Sequence, residues 1–141
     1  MPTLPWTRAE QPRPGAAVVV LGSRLELRAY RHIPGFVVAA MRVRRQVRSS
    51  PGAFGVSLIA QPARKTFWTL SAWADEDALE RFVRTAPHTQ VMALYHDRQT
   101  HASFATWSAD ASDLPKPNSN AKELWGEAKK RLAAPTEGAS S

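Results

Sequence analysis

The succession of elements in this 141-residue chain predicts an α+β, ferredoxin-like βαββαβ fold with a four-stranded antiparallel sheet and a further C-terminal helix. Three observations carry that prediction. Two β-rich runs, 53–61 (AFGVSLIAQ) and 66–73 (TFWTLSAW), are joined only by PARK, a link short enough for a hairpin and so for antiparallel neighbours. Helical stripes flank that pair: Phe36, Ala40, Val43 and Val47 before it, and Ala78, Leu79, Phe82, Val83 and Ala86 after it. A strand pattern lies outside each stripe, at 17–28 and at 100–109.

Taken in order, residues 1–16 are expected to be an irregular arm, because Pro2, Pro5, Pro12 and Pro14 interrupt regular pairing. Trp6 is the side chain able to pin that arm to the body. In the first strand, Leu25 and Leu27 alternate with Arg24, Glu26 and Arg28, the period of two that marks a half-buried strand. Gly22 within it predicts a bulge or a close approach of another backbone. Pro34 and Gly35 open the first helix, and SSPG at 49–52 closes it, since Pro51 cannot continue the turn. Asp75 is placed to cap the second helix, with Glu76 and Asp77 complementing its dipole. Pro87 then fits the first turn of another helical segment, where His88, Val91, Met92 and Tyr95 share a stripe. After the last strand, AKELWGEAKKRL forms a short amphipathic helix whose Leu124 and Trp125 are expected to dock on the body. The chain thus divides into an N-terminal arm (1–16), the ferredoxin-like domain (17–110), a linker and C-terminal helix (111–133) and a disordered tail (134–141).

The third strand of the domain carries large apolar groups on both sides: Trp68, Leu70 and Ala72 on one, Phe67 and Trp73 on the other. Two helices cover one face of such a sheet. The other needs a cover, and a second copy of the same sheet is the simplest one, so a sheet-to-sheet homodimer is expected.

Composition excludes several functions. No cysteine is present, which removes disulfides, thiolate metal sites and thiol nucleophiles. No apolar run approaches the length of a membrane span, and the Pro-rich N-terminus lacks a signal core, so a cytoplasmic location is expected. No Gly-x-Ser-x-Gly elbow, phosphate-binding glycine loop or His/carboxylate cluster appears. The net charge of +7 lies wholly in residues 1–50, where nine arginines face Glu10 and Glu26. Such a patch (Arg42, Arg44, Arg45 and Arg48) attracts anionic partners, but no nucleic-acid motif accompanies it and nucleic acid is the least favoured partner.

His88 is the histidine whose setting is unusual, at a Pro-His break among apolar neighbours. His32, His96 and His101 fall in loops and turns without a metal-binding spacing. On its residues alone, His88 reads first as a structural group that caps the broken helix, packs against Trp73 and bonds a backbone carbonyl, and second as a functional imidazole.

The stretch SAWADEDALERFVRTAPHTQVM resembles the sheet-to-helix region of the antibiotic-biosynthesis-monooxygenase-like superfamily, the dimeric α/β barrels. GSRLEL, PGAFGVSLIAQP and FWTLSAWADEDALERFV are similar to an uncharacterised bacterial family within it, related to spheroidene monooxygenase. The resemblance covers roughly 17–110, with LPWT and LWGEAKKRL matching that family's ends. It implies a pocket between helices and sheet in each subunit, used in the superfamily for cofactor-free oxygenation, haem chemistry, isomerisation or plain binding. In the haem users a histidine from this region ligates iron, and His88 is the corresponding residue. Phe82, Met92, Trp68 and Trp73 would then wall the pocket, and Arg24, Arg42 or Arg45 would pair with haem propionates. The first strand has no Asn and the helix carries Phe82 where haem-degrading members have Trp, which argues against haem degradation and leaves haem binding.

Three functions compete on this reading. The first is a monooxygenase-like enzyme acting on a hydrophobic aromatic or polyene molecule with haem on His88. The second is a cofactor-free oxygenase with His88 as base and Thr69 or Ser71 as orienting hydroxyl. The third is a non-catalytic binder of haem or another small ligand, with His88 structural.

Overall fold

A computed structural model describes residues 3–132. The tail expected at 134–141 lies outside the described residues. Five strands form one antiparallel sheet: β1 (Thr3–Arg8), β2 (Ala17–Leu27), β3 (Ala53–Gln61), β4 (Thr66–Trp73) and β5 (Gln99–Asp110), in the spatial order β1-β3-β4-β2-β5. Four helices accompany them: α1 (Ile33–Ser49), α2 (Glu76–Val83), α3 (His88–Tyr95) and α4 (Lys122–Leu132). The βαββαβ order over β2 to β5 is the expected one, and the short Pro62–Arg64 turn joins β3 to β4, with Lys65 in the left-handed region.

The N-terminal segment corrects the sequence reading. Thr3–Arg8 is not an irregular arm but an edge strand paired with β3. An edge strand needs pairing on one side only, and the register shifts between Leu4 and Thr7, where Pro5 would otherwise interrupt the ladder. The same irregularity turns Trp6 outward from the ladder: its N–H donates to the Ser119 carbonyl at 2.7 Å, and its own carbonyl accepts from Asn118 N–H at 2.8 Å. The Trp6 indole, 1% exposed, lies against Gly55, where any Cβ would overlap the ring.

The two faces of the sheet are covered differently. On one, α1, α2 and α3 pack over Leu27, Phe67 and Trp73. On the other, α4 sets Ala121, Leu124, Trp125 and Ala128 against Val18, Val20, Ile59, Leu70 and Ala72, with Trp6 completing the layer. Trp125 Nε1 donates to Ser57 Oγ at 3.0 Å, and Ser57 in turn donates to the Leu4 carbonyl. Gly22 lies beneath Ala128, and its ladder with β4 and β5 is unbroken, so close approach rather than a bulge explains it. The face that the sequence reading left for a second copy is thus covered by this chain's own C-terminal helix. The uncovered face that argued for a sheet-to-sheet homodimer is therefore not present. The expectation had counted two helices per sheet and had not given α4 a face.

Among the described residues no helix is long and apolar enough to cross a membrane.

Candidate functional site

The helices on the first face do not sit flush on the sheet. Aromatic groups hold them up at both ends. At one end the Phe36 ring of α1 stacks at 4.7 Å on Phe67 of β4 and meets Tyr95 of α3 edge-on at 5.1 Å. At the other, Trp73 of β4 meets Phe82 of α2 at 4.8 Å. Between these props β4 presents only Thr69 and Ser71, too short to reach the roof. The result is a cavity of about 110 Å³, floored by β2, β3 and β4 and roofed by Ala40, Val43, Arg44 and Val47 of α1. Phe82, His88, Val91 and Met92 close one side, and Phe104 of β5 borders it at the edge of the sheet. Met92 and Phe104 are partly exposed.

The floor hydroxyls are partly engaged, each through one bond within the chain. Ser23 and Thr69 hydrogen-bond each other, and Ser71 Oγ accepts from Trp73 Nε1 at 2.9 Å. The chemistry left over belongs to His88 and Arg44.

His88 begins α3, directly after Pro87. Its Nδ1 lies 3.1 Å from the Val83 carbonyl, and its ring packs 4.8 Å from Phe82. A carbonyl can only accept, so Nδ1 carries the proton and Nε2 keeps its lone pair. Nε2 has no partner among the described residues. Burial lowers the imidazole pKa, opposed in part by the Val83 hydrogen bond, so the ring is neutral around pH 7.

A residue that the sequence reading passed over holds this arrangement. Gln46 of α1 is buried, although the arginine before it, Arg45, is exposed. Its Nε2 donates to the carbonyls of Phe82 and Thr85 at 3.1 and 3.0 Å, and its Oε1 accepts the His88 backbone N–H at 2.9 Å. One amide thus satisfies two carbonyls at the end of α2 and one N–H at the start of α3. The signal was present: position 46 follows Phe36, Ala39 and Val43 at helical spacing, so a polar residue there falls on the buried stripe.

Of the side chains expected at the site, the fold brings His88, Phe82 and Met92 to the cavity, with Trp73 directly behind Phe82. Trp68 is not brought there, and Arg24 borders the cavity without turning its guanidinium into it. Although β2 runs along the cavity, the Arg24 guanidinium lies 5.4 Å over the Trp68 ring on the opposite face, with Lys129 of α4 at 5.8 Å. The alternation of a strand explains this: Trp68 and Arg24 are cross-strand partners one residue out of phase with Phe67 and Leu25. Arg42 and Arg45 face outward from α1, beside Pro87. Thr69 and Ser71 line the floor but do not orient His88, whose Nδ1 is bonded to the Val83 carbonyl instead. Among the described residues no three histidine, aspartate or glutamate side chains gather as a metal site.

The fit to haem can be tested on this geometry. A neutral imidazole with Nδ1 tied to a carbonyl suits iron. The space does not: about 110 Å³ falls below the roughly 300 Å³ at which pockets for larger ligands begin. Neither Arg24, Arg42 nor Arg45 borders it with its guanidinium. The residues present do not fit a haem.

Solved structures share this architecture. An antibiotic biosynthesis monooxygenase superposes with a TM-score of 0.59 at 15% identity, covering 64% of this chain and 97% of its own. The fold is that of the antibiotic-biosynthesis-monooxygenase-like proteins. SnoaB, a cofactor-independent oxygenase from Streptomyces nogalater, superposes at 0.55 with 17% identity over 67% of this chain and 94% of its own. A monooxygenase-like protein from Lactobacillus acidophilus NCFM matches at 0.60 with 13% identity over 75% of this chain. This chain spans about half, 48%, of that protein's length. No family model and no curated protein matches the chain. In this monooxygenase-like fold the cavity lies between helices and sheet, where the sequence resemblance had placed it.

Proposed function

We propose that this protein is a monooxygenase-like oxidoreductase that admits a phenol or quinol ring and oxygenates it without a cofactor. The observation that carries the reading is the neutral imidazole of His88, with an unpartnered Nε2, at the wall of an apolar cavity. The cavity volume supports a compact group. At about 110 Å³ the cavity is smaller than the roughly 150 Å³ cavity that holds a whole benzene ring, but it opens at the exposed Met92 and Phe104, so a ring would enter there edge-first with the rest of the molecule outside.

His88 is the base in this reading. For a phenol, Nε2 takes the hydroxyl proton, and the resulting anion passes one electron to O2. Superoxide and the phenoxyl radical join as a peroxide at a ring carbon. His88 returns its proton to the outer oxygen, and loss of water with that carbon's hydrogen leaves a quinone. One atom of O2 ends in the product and the other in water. Burial helps twice: it keeps His88 unprotonated, and it shields the radical pair from solvent.

The test is oxygen uptake by chelator-treated protein with a panel of naphthols and hydroquinones. Protein-dependent uptake that falls at least tenfold in a folded His88→Ala variant is expected. Uptake unchanged by that variant, or ligand binding with no turnover, sinks the enzymatic reading in favour of a binding protein.

A homodimer is also part of this proposal. Val37, Val38 and Met41 on the outer side of α1 leave apolar surface exposed that a second copy would cover. Light scattering should then give twice 15.6 kDa at micromolar concentration. A stable monomer removes this part alone.

A further inference from the structure

We infer that the ligand of this cavity carries an anionic oxygen, a carboxylate or comparable acid on its apolar ring, and that Arg44 of α1 holds it. This rests on the cavity being a ligand site, as proposed above, and adds the chemistry of what it takes.

Arg44 differs from the other arginines of α1. Arg42, Arg45 and Arg48 face solvent, whereas Arg44 is half-buried and borders the cavity. Its Nη2 donates to Thr7 Oγ1 of the edge strand at 2.7 Å, which fixes the guanidinium in place. Its Nε is buried without any hydrogen-bond partner, and it is the one buried side-chain nitrogen or oxygen in that state among the described residues. Leaving such a donor unmet costs stability, most of all on a charged group. The chain offers nothing to meet it. No aspartate or glutamate lines the cavity, none of the ion pairs among the described residues includes Arg44, and the floor hydroxyls are bonded elsewhere. Arg48, one turn along, adds to the positive potential, and burial and that neighbour both disfavour the charged form of Arg44.

The Nε has no accessible surface, so a ligand meets the guanidinium at Nη1, which donates to nothing among the described residues; a neutral hydrocarbon would leave that donor unmet, and a cation would be repelled. An anionic oxygen supplies both the acceptor and the opposing charge, in an environment where a charge-assisted hydrogen bond is strong. The acid end belongs with Arg44 and not with His88. The unprotonated Nε2 of His88 is itself an acceptor and repels a carboxylate.

An isosteric pair of small ligands tests this: 4-methylbenzoate and its neutral counterpart 4-methylbenzamide, titrated against the full chain by NMR. The wild-type protein is expected to bind the carboxylate about tenfold or more tightly than the amide. Arg44→Met should erase that preference while leaving the affinity for the amide unchanged. Ala40→Phe, which fills the cavity from the roof, should weaken both. If the amide binds and Ala40→Phe removes it, but the carboxylate binds no better, the cavity reading stands and the role of Arg44 falls. A preference that survives Arg44→Met overturns that role equally. If neither ligand binds, or Ala40→Phe changes nothing, the cavity reading itself fails and takes this inference with it.

Discussion

The side-chain oxygen of Gln46 accepts the backbone N–H of His88 at 2.9 Å, while the same amide's nitrogen donates to Phe82 and Thr85. The junction between α2 and α3 is therefore held from α1. The position of the imidazole depends on a residue in another helix. Gln46→Leu leaves the His88 N–H unmet and takes one bond from each of two carbonyls, which keep the Thr85 and Thr89 N–H groups. It should cost about 1–3 kcal/mol of unfolding free energy in urea, the cost of one unmet donor. A loss below about 0.5 kcal/mol would show that the junction does not need this amide.

His88 makes stability depend on pH in a defined direction. Its pKa in the folded protein is lowered from 6.5, first by burial, so the unfolded chain binds more protons as pH falls from about 6.5 through the lower folded-state value. Stability is full above about pH 6.5 and declines as pH drops through the window below it. His88→Gln, which cannot take up the proton, should flatten that part of the curve. Thermal midpoints of the two proteins, compared from neutral to mildly acidic pH, check this. Parallel curves would show that the imidazole titrates as it does in the unfolded chain.

Asp75 caps α2 through a 2.8 Å bond from Ala78 N–H to its carboxylate. Asp75→Ala should destabilise the protein by about 1 kcal/mol, and Asp75→Asn by less, because the amide oxygen still accepts. Urea denaturation of the three proteins reads the order directly.

Gly55 and Trp6 form the tightest fit between the edge strand and the sheet. Gly55→Ala drives a methyl into a rigid indole and should cost about 1–3 kcal/mol, with Trp6 fluorescence shifted as the ring is displaced. An unchanged melting temperature and spectrum would mean that β1 simply moves away.

Trp125 anchors α4. Trp125→Ala removes a buried indole and its bond to Ser57, and should cost about 3–5 kcal/mol. Because α4 covers Leu70 and Ala72, that variant should also bind a hydrophobic dye that the wild type does not. Loss of stability without dye binding would mean that the sheet face closes by another route.

Local chemistry accounts for much of this protein. The alternation in GSRLELR, the proline stops around α1, the Asp75 cap and the four-residue hairpin link act within a few residues of where they are written. They could be read without a fold, and they yield the βαββαβ order and the break that exposes His88. Two kinds of fact could not be read that way. Which face a residue occupies in a finished sheet depends on register, and one step of phase sends Trp68 and Arg24 under α4 while Phe67 faces the cavity. Which polar groups are satisfied depends on partners far along the chain: Gln46 with His88, Arg44 with Thr7, Trp6 with Ser119. A proline-bearing segment becomes an edge strand, and a short terminal helix takes the place reserved for a second sheet, because burial rewards whichever apolar surface can reach an open face.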